Sequence, residues 1–327
     1  MKVLVCGGAG YIGSNMTAML AREGHYPIVY DNLSKGHKAA IADKELVVGD
    51  LSDYDLLVKT LEKYEIEAIM HFAAFIEVGE SVAEPIKYYK NNLCATHNLL
   101  HAMETAGVRK FIFSSTAAVY GIPETFPITE DSPMKPINPY GQTKLAVEEM
   151  CHHQSITGKL NFAALRYFNA CGAGNNGTIG EDHRPESHLI PLTIQAAMGK
   201  RDAIRIYGTN YPTPDGTCVR DYIHIEDLCK AHLLALKQLD TKNEIRCNLG
   251  NERGHSVREV IETVKKVSGK DFKVLETENR PGDPPVLTAS AKKAKEELGW
   301  KVEKPDLEEI VETAWKWHSE HPNGYPD

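Results

Sequence analysis

The sequence predicts an α/β protein in which a doubly wound parallel β-sheet carries helices on both faces. Short apolar runs alternate with segments of helical period, each strand–helix unit takes about 30 residues, and the first apolar run ends in a glycine-rich turn. The predicted strands cover residues 3–7, 27–30, 46–48, 68–72, 111–114 and 162–166. The predicted helices between them cover residues 12–23, 54–64, 86–105 and 141–153.

The second half of the chain is less regular and predicts a smaller α/β lobe. Polar, glycine-containing stretches at residues 171–186 and 207–217 are typical of binding loops or linkers. Ser256 and Glu259 form a capping box, and Pro305 is placed as a first helical residue. We therefore expect one domain of residues 1–168, to which residues 219–245 return, and a lobe of residues 169–218 and 246–327.

Composition and charge exclude several classes of protein. Hydrophobic residues make up 42% and charged residues 25% of the 327 residues, which is typical of globular proteins. The net charge of −8 argues against a large surface for nucleic-acid phosphates, and no apolar run approaches the roughly 20 residues that span a bilayer. Seven cysteines without a C-x-x-C spacing favour reduced thiols over disulfides or a zinc site. We expect a cytoplasmic protein without a metal and without a nucleic-acid or membrane partner.

The turn after the first predicted strand is a variant of the dinucleotide-binding fingerprint of Rossmann-type folds. Gly7, Gly10 and Gly13 are spaced three apart, and a Cβ there would keep backbone N–H groups away from a pyrophosphate. Asp31 ends the second predicted strand, where a carboxylate accepts hydrogen bonds from both ribose hydroxyls and repels a 2′-phosphate. This favours NAD over NADP. The alternative for Asp31 is that it caps a turn. Asp50, at the end of the third predicted strand, fits equally a contact with the adenine edge or a turn.

A tyrosine and a lysine four residues apart indicate proton-transfer chemistry. Tyr140 and Lys144 fall on one face of a predicted helix, but by itself this spacing more often marks an exposed helix face. A phenol with a pKa of about 10 is a poor base at pH 7. An ammonium about 6 Å away, at an effective dielectric of about 20, contributes roughly 2.8 kcal/mol, which lowers that pKa by about two units. A positively charged nicotinamide ring in the same pocket would have to supply the remaining lowering of the tyrosine pKa.

Together these segments resemble the extended short-chain dehydrogenase/reductase family. The resemblance rests on the glycine turn, on Tyr140-x-x-x-Lys144, and on residues 31–32, 71–74, 113–116 and 166–169. Residues 216–224 and 280–283 narrow it to the UDP-glucose 4-epimerases of that family, with similarity from residue 1 to about residue 317. The resemblance implies an NAD-dependent isomerase of galactose metabolism that interconverts UDP-glucose and UDP-galactose through a 4-keto sugar. It also implies that the first domain binds NAD and that the lobe binds the UDP-sugar.

The resemblance also implies the roles of individual residues. Tyr140 would take the proton of the sugar 4-hydroxyl, Lys144 would bind the nicotinamide ribose and lower the pKa of Tyr140, and Thr116 would hold the hydroxyl. The implied NAD-binding residues are Gly7, Gly10, Tyr11, Ile12, Gly13, Asp31, Asn32, Leu33, Ser34, Lys35, Gly36, Asp50, Leu51, Phe72, Ala73, Ala74, Asn91, Tyr140, Lys144 and Phe168. The implied substrate-binding residues are Thr116, Tyr140, Asn169, His188, Leu189, Tyr207, Arg220, Arg280 and Asp283, with His188 as a hydrogen-bond donor. Members of the family form homodimers through two long helices, here near residues 86–105 and 141–153.

Some alternatives stay open. Ile76 or Glu77 stands where some epimerases carry a lysine aimed at the pyrophosphate, which leaves open how tightly NAD is held. Leu287 falls near the hexose pocket, so UDP-N-acetylhexosamines remain candidate substrates beside UDP-glucuronate. Ala117 and Ala118 stand where nucleotide-sugar 4,6-dehydratases need an Asp-Glu pair, which disfavours that lyase. A non-catalytic NAD-sensing protein would not need an activated phenol.

Overall fold

A parallel sheet of seven strands lies at the centre of the structure, a computed structural model that describes residues 1–280 and 283–326. Its strand order is β10-β6-β5-β4-β1-β2-β3. The strands are β1 (Lys2–Cys6), β2 (Tyr26–Asp31), β3 (Glu45–Val48), β4 (Ala68–His71), β5 (Lys110–Thr116), β6 (Asn161–Tyr167) and β10 (Glu244–Leu249). The predicted α/β class and the six predicted strands are confirmed.

Helices cover both faces of this sheet, because its strands bury side chains on both sides. Val3 and Val5 of β1 join one hydrophobic core, whereas Leu4 and Cys6 join another. Helices α1 (Tyr11–Arg22) and α8 (Ile225–Gln238) pack in the first core. The second core takes in α2 (Tyr54–Lys63), α5 (Ala95–Ala106) and α6 (Pro139–Ile156). The predicted helix at 86–105 is composite: α4 (Pro85–Tyr88) continues through a π-helical segment, Tyr89–Cys94, into α5.

The lobe is built on two small sheets. Strand β9 (Val219–His224) pairs with β7 (Asn169–Cys171), β11 (Gly254–Ser256) and β13 (Val286–Leu287), and β8 (Ile204–Tyr207) pairs with β12 (Val274–Thr277). Its core lies between α7 (Leu189–Ala197), α9 (Val257–Ser268) and α11 (Leu307–Glu320). The shorter helices are α3 (Val78–Ala83) and α10 (Lys292–Leu298).

The chain crosses between the two parts more than once. Strand β9 lies in a lobe sheet, whereas α8 packs on the central sheet and β10 extends it at one edge. The division into two domains stays a prediction, and we propose from these sheet memberships that its internal boundaries lie nearer residues 225 and 249. Pro281 and Gly282, part of the predicted 280–283 segment, lie outside the described residues, as does Asp327.

The two helix starts predicted in the lobe have different outcomes. The capping box at Ser256 is confirmed, since its hydroxyl accepts from Glu259 N at 3.0 Å and Glu259 accepts in return. Pro305 is not the first helical residue, because Asp306 caps α11 by accepting from Glu308 N at 2.9 Å. Among the helices of the described residues, none has the length and apolar character needed to span a bilayer.

Candidate active site

A cavity of about 800 Å³ opens at the carboxyl ends of the central strands and extends to the lobe. This volume falls in the upper part of the range of roughly 300–1,000 Å³ that is typical of ligand sites. The predicted site residues that line it are Gly7, Gly10, Tyr11, Ile12, Gly13, Asp31, Asn32, Ser34, Lys35, Gly36, Asp50, Leu51, Phe72, Ala73, Ala74, Asn91, Thr116, Tyr140, Lys144, Phe168, Asn169, His188, Arg220 and Asp283. The predicted site residues outside its lining are Leu33, Leu189, Tyr207 and Arg280.

The turn that contains Gly7, Gly10 and Gly13 leaves a space that a side chain at these positions would fill. Gly7 has a φ of +73°, and a Cβ there would lie 2.5 Å from Ala73 N. A Cβ on Gly13 would lie 2.1 Å from Gly7 O, so the turn could not close. Helix α1 begins at Tyr11, directly after the turn, and its N-terminus faces the cavity. Backbone N–H groups and the helix dipole at this position suit the pyrophosphate of a dinucleotide.

Asp31 stabilises this turn from the neighbouring strand end. Asp31 is only 8% exposed, and its carboxylate accepts from Ala9 N at 3.0 Å and from Leu33 N at 2.8 Å. Burial raises the pKa of Asp31, although the two backbone hydrogen bonds act in the opposite direction. The turn-capping alternative therefore holds for Asp31 while the residue also lines the cavity. Asp50 likewise accepts from Ser52 N at 2.9 Å and from the Asn32 side chain at 2.7 Å.

Tyr140 and Lys144 lie in the first turns of α6, at the end of β5. Asn138 fixes the start of this helix by accepting from Gly141 N at 2.9 Å. Lys144 is 3% exposed, and its ammonium donates to Ser114 O at 2.7 Å. Burial lowers the pKa of Lys144 to about 7, although Glu148 acts in the opposite direction.

Burial also raises the pKa of Tyr140, and a hydrogen bond with Thr116 partly offsets this effect. The net effect of the protein's own groups is therefore opposite to the lowering expected from Lys144. A lowering of the Tyr140 pKa by Lys144 stays a prediction for the complex with an oxidised nicotinamide. Thr116 also accepts from Ala118 N at 3.2 Å, which fixes its hydroxyl beside the phenol.

Next to Tyr140 and Lys144, a buried ion pair joins α6 to β6, and the sequence analysis did not identify it. Glu148, one turn after Lys144, accepts from Arg166 Nε at 3.0 Å and Nη2 at 2.6 Å, and from the Ser115 hydroxyl. Arg166 also donates to the Tyr120 hydroxyl at 2.8 Å, which donates to Asn248 at 2.6 Å. The sequence signal was an arginine in the apolar strand 162–166, since buried charges are normally paired.

On the lobe side, four of the predicted substrate-binding residues contact one another in two pairs. Arg220 forms an ion pair with Asp283 and donates to Pro284 O at 2.9 Å. The Arg280 guanidinium lies 3.9 Å from the Tyr207 ring centroid. Hydrogen bonding with Arg280 lowers the pKa of the Tyr207 phenol, although partial burial acts in the opposite direction. Leu189 is the first residue of α7. Substrate contacts by Leu189, Tyr207 and Arg280 stay predictions.

His188 lies in a cluster that the sequence reading did not identify as a unit. Its Nδ1 is 2.6 Å from Glu181 Oε1, and His183 and Glu186 complete the cluster. Burial lowers the pKa of His188, but Glu181 and Glu186 outweigh it, and the net pKa lies well above its usual range. The donor role of His188 stays a prediction. The overlooked signal is the pattern Glu181-x-His183-x-x-Glu186-x-His188.

Comparison with known proteins gives matches along the whole chain. The profile of the NAD dependent epimerase/dehydratase family matches residues 3–250. The UDP-glucose 4-epimerase of Halalkalibacterium halodurans is 49% identical over 99% of this chain and 98% of its own length. The crystal structure of UDP-glucose 4-epimerase from Brucella ovis in complex with NAD is 46% identical with a TM-score of 0.94, over 96% of this chain and 97% of that one. The UDP-Glc/GlcNAc 4-epimerase from Campylobacter jejuni is 44% identical with a TM-score of 0.86, over 98% of this chain and 99% of that one.

Proposed function

Because this chain belongs to the NAD dependent epimerase/dehydratase family, we propose that it is an isomerase that interconverts UDP-glucose and UDP-galactose through a 4-keto sugar. The observation that carries the proposal is one cavity lined by Tyr140, Lys144 and Thr116 and also by the glycine turn. This cavity suits NAD, since the turn is free of side chains where a pyrophosphate would lie and Asp31 is placed for a ribose. Bound NAD would accept a hydride from sugar carbon 4 and return it.

The residues of the chain would supply binding and proton transfer. Tyr140 takes the proton of the 4-hydroxyl and gives it back, while Thr116 holds that hydroxyl by a hydrogen bond. Lys144 is fixed by Ser114 O and presents a cation to the same pocket. Arg220 would release Asp283 to contact the diphosphate, where a guanidinium fork suits phosphate oxygens. A strong hold on the remote UDP lets the sugar turn without leaving the cavity.

Isomerase chemistry is favoured over dehydration by the residues that follow Thr116. Ala117 and Ala118 line the cavity directly after the end of β5. Elimination of water across the sugar requires an acid and a base beside the hexose, and methyl groups provide neither. The site therefore supports oxidation and reduction at carbon 4 without a following elimination.

A second candidate substrate class is the UDP-N-acetylhexosamines. Leu287 lines the cavity, and the similar protein from Campylobacter jejuni is described as a UDP-Glc/GlcNAc 4-epimerase. A leucine is of intermediate bulk, so an N-acetyl group is a reasonable additional occupant of that side of the cavity.

We also propose that the protein is a cytoplasmic homodimer. Each of the seven cysteines is a free thiol, which suits a reducing compartment. Ile86, on α4 at the start of the predicted interface segment, is 78% exposed, and Val82, on α3 just before that segment, is 63% exposed. Burying such side chains against a second copy would remove their apolar surface from water.

The test is conversion of UDP-galactose to UDP-glucose by the purified protein without added NAD, followed with a coupled dehydrogenase. Tyr140→Phe removes the base and should lower kcat by about 10²–10⁴-fold. Tyr54→Phe, which removes a phenol on α2 outside the cavity lining, is the matched control and should retain activity. Conversion only with added NAD would support the reaction and indicate weak cofactor retention near Ile76. No conversion under either condition would overturn the stated substrate.

A further inference from the structure

Four side chains with metal-ligating atoms converge in the loop that precedes α7. Glu181, His183, Glu186 and His188 each place one donor atom within 4.8 Å of all the others. Within residues 1–280 and 283–326, no other group of three or more His, Cys, Asp or Glu side chains meets this condition. Glu181, His183 and His188 also line the large cavity, so the cluster forms part of its wall.

The carboxylate-to-imidazole distances in the cluster scatter around the ligand spacing of a tetrahedral coordination shell. Glu181 Oε1 lies 3.1 Å from His183 Nδ1 and 2.6 Å from His188 Nδ1. Glu186 Oε1 lies 3.8 Å and 3.4 Å from the same two nitrogens. Ligands about 2.0–2.1 Å from a tetrahedral Zn²⁺ are about 3.3 Å from one another, and the four distances bracket that value.

The orientation of these groups is a second observation that points to a ligand. The Glu181 and Glu186 side chains are only 4% exposed. Glu181 Oε1, His183 Nδ1 and His188 Nδ1 are buried, yet among the described residues none has a partner in hydrogen-bond geometry. The two nitrogens therefore lie within 3.1 Å of Glu181 Oε1 without forming a hydrogen bond to it. Buried polar atoms are normally hydrogen-bonded, and an ion between them would satisfy all of them at once.

The charge of the cluster is compatible with a bound divalent cation. Two carboxylates buried side by side require about two positive charges nearby. Protons on both histidines are one source of that charge. A divalent cation bound by two neutral imidazoles and two carboxylates gives the same neutral total. Imidazole nitrogens select transition metals, whereas Mg²⁺ and Ca²⁺ prefer shells of oxygen alone.

We propose that Glu181, His183, Glu186 and His188 bind one Zn²⁺ ion. Four protein ligands leave no open position, which is the pattern of a structural rather than a catalytic zinc. The ion would stabilise a loop that bridges the two parts of the chain. His37 contacts Asp182 O at 3.1 Å, and Ser187 donates to Glu77 at 2.7 Å. Both loop contacts are to the cofactor half, so the ion would help to hold the wall of the cavity in place.

The experiment measures metal in the purified full-length protein and is independent of any epimerase activity. Metal content is determined before and after chelation, and the chelated protein is titrated with Zn²⁺, Mg²⁺ and Co²⁺. We expect one Zn²⁺ per chain, a rise in the thermal unfolding midpoint on rebinding, and a Co²⁺ spectrum typical of tetrahedral coordination. His183→Ala and Glu186→Gln should each weaken Zn²⁺ binding by more than about tenfold.

The matched control is His152→Ala, which removes a histidine paired with Glu244 at 2.7 Å where no further ligands converge among the described residues. It should bind Zn²⁺ as the unchanged protein does. Circular dichroism verifies that the variants are folded, and Glu186→Gln preserves side-chain shape if His183→Ala perturbs the loop. Failure to take up Zn²⁺, equal uptake by the ligand variants, or tighter binding of Mg²⁺ would each overturn the proposal.

Discussion

Replacing Glu148 with glutamine should destabilise the protein strongly, because it leaves the Arg166 guanidinium buried without a counter-charge. Glu148 is fully buried and Arg166 is 1% exposed. The carboxylate accepts two hydrogen bonds from this guanidinium, at 3.0 and 2.6 Å, and one from the Ser115 hydroxyl. Glutamine has the same shape but no charge, and its amide nitrogen would face a donor.

The expected loss follows from the burial of the pair. Removing one partner of a buried ion pair typically costs about 3–5 kcal/mol, a large share of the roughly 5–15 kcal/mol by which native proteins are stable. Glu149→Gln is the matched control on the same helix. Glu149 is 45% exposed and lies 3.4 Å from Arg246, so its loss should cost at most about 1 kcal/mol.

The assay is urea unfolding at pH 7 of Glu148→Gln, Arg166→Met, the double variant and Glu149→Gln. A buried pair predicts that the double variant is less destabilised than the sum of the two single variants, since no uncompensated charge remains. The reasoning would be refuted if Glu148→Gln cost no more than Glu149→Gln. Strict additivity of the two single changes would refute it equally.

Two further predictions concern the glycine turn and the buried lysine. Gly13→Ala should destabilise the fold, because its Cβ would lie 2.1 Å from Gly7 O. The Cβ of Gly10→Ala would lie 3.4 Å from the same oxygen, so this variant should fold and lose mainly NAD affinity. Urea unfolding and NAD titration of both variants test this, and equal stability of the two variants would contradict it. For Lys144, the folded pKa of about 7 lies below the ordinary 10.5, so the unfolded chain binds more protons between these values and stability should rise with pH there. Relative to Lys144→Met, the free energy of unfolding should increase by up to about 1.4 kcal/mol per pH unit from pH 7 to 10, and parallel pH profiles in urea unfolding would contradict this.

Local patterns account for the parts of the fold and site that the sequence predicts well. The strands of the central sheet are short apolar runs, and their period depends on neighbouring residues alone. The glycine turn could be read directly, because a missing Cβ is a property of one residue. The local sequence alone predicts Pro305 as the first helical residue. In the structure Asp306 caps the helix, which therefore begins at Leu307.

Interactions between distant segments could not be read in the same way. Asp31 looked like either a ribose ligand or a turn cap, and the structure shows that it caps the turn while it lines the cavity. The ion pair of Glu148 and Arg166 joins a helix to the strand that follows it, so no local sequence pattern predicts it. Arg280 and Tyr207 match the family pattern, yet they contact each other outside the cavity lining.

By itself, the sequence determined the fold class, the cofactor and the family, because these follow from periodicity, from glycine spacing and from motifs of a few residues. Only the tertiary structure decided which side chains are buried and which charges face one another. The folded chain shows that burial raises the pKa of Tyr140 in the absence of the cofactor, and it brings Glu181 and His188 together as a candidate metal site. Desolvation and coordination depend on distances between segments, and those distances exist only in the folded chain.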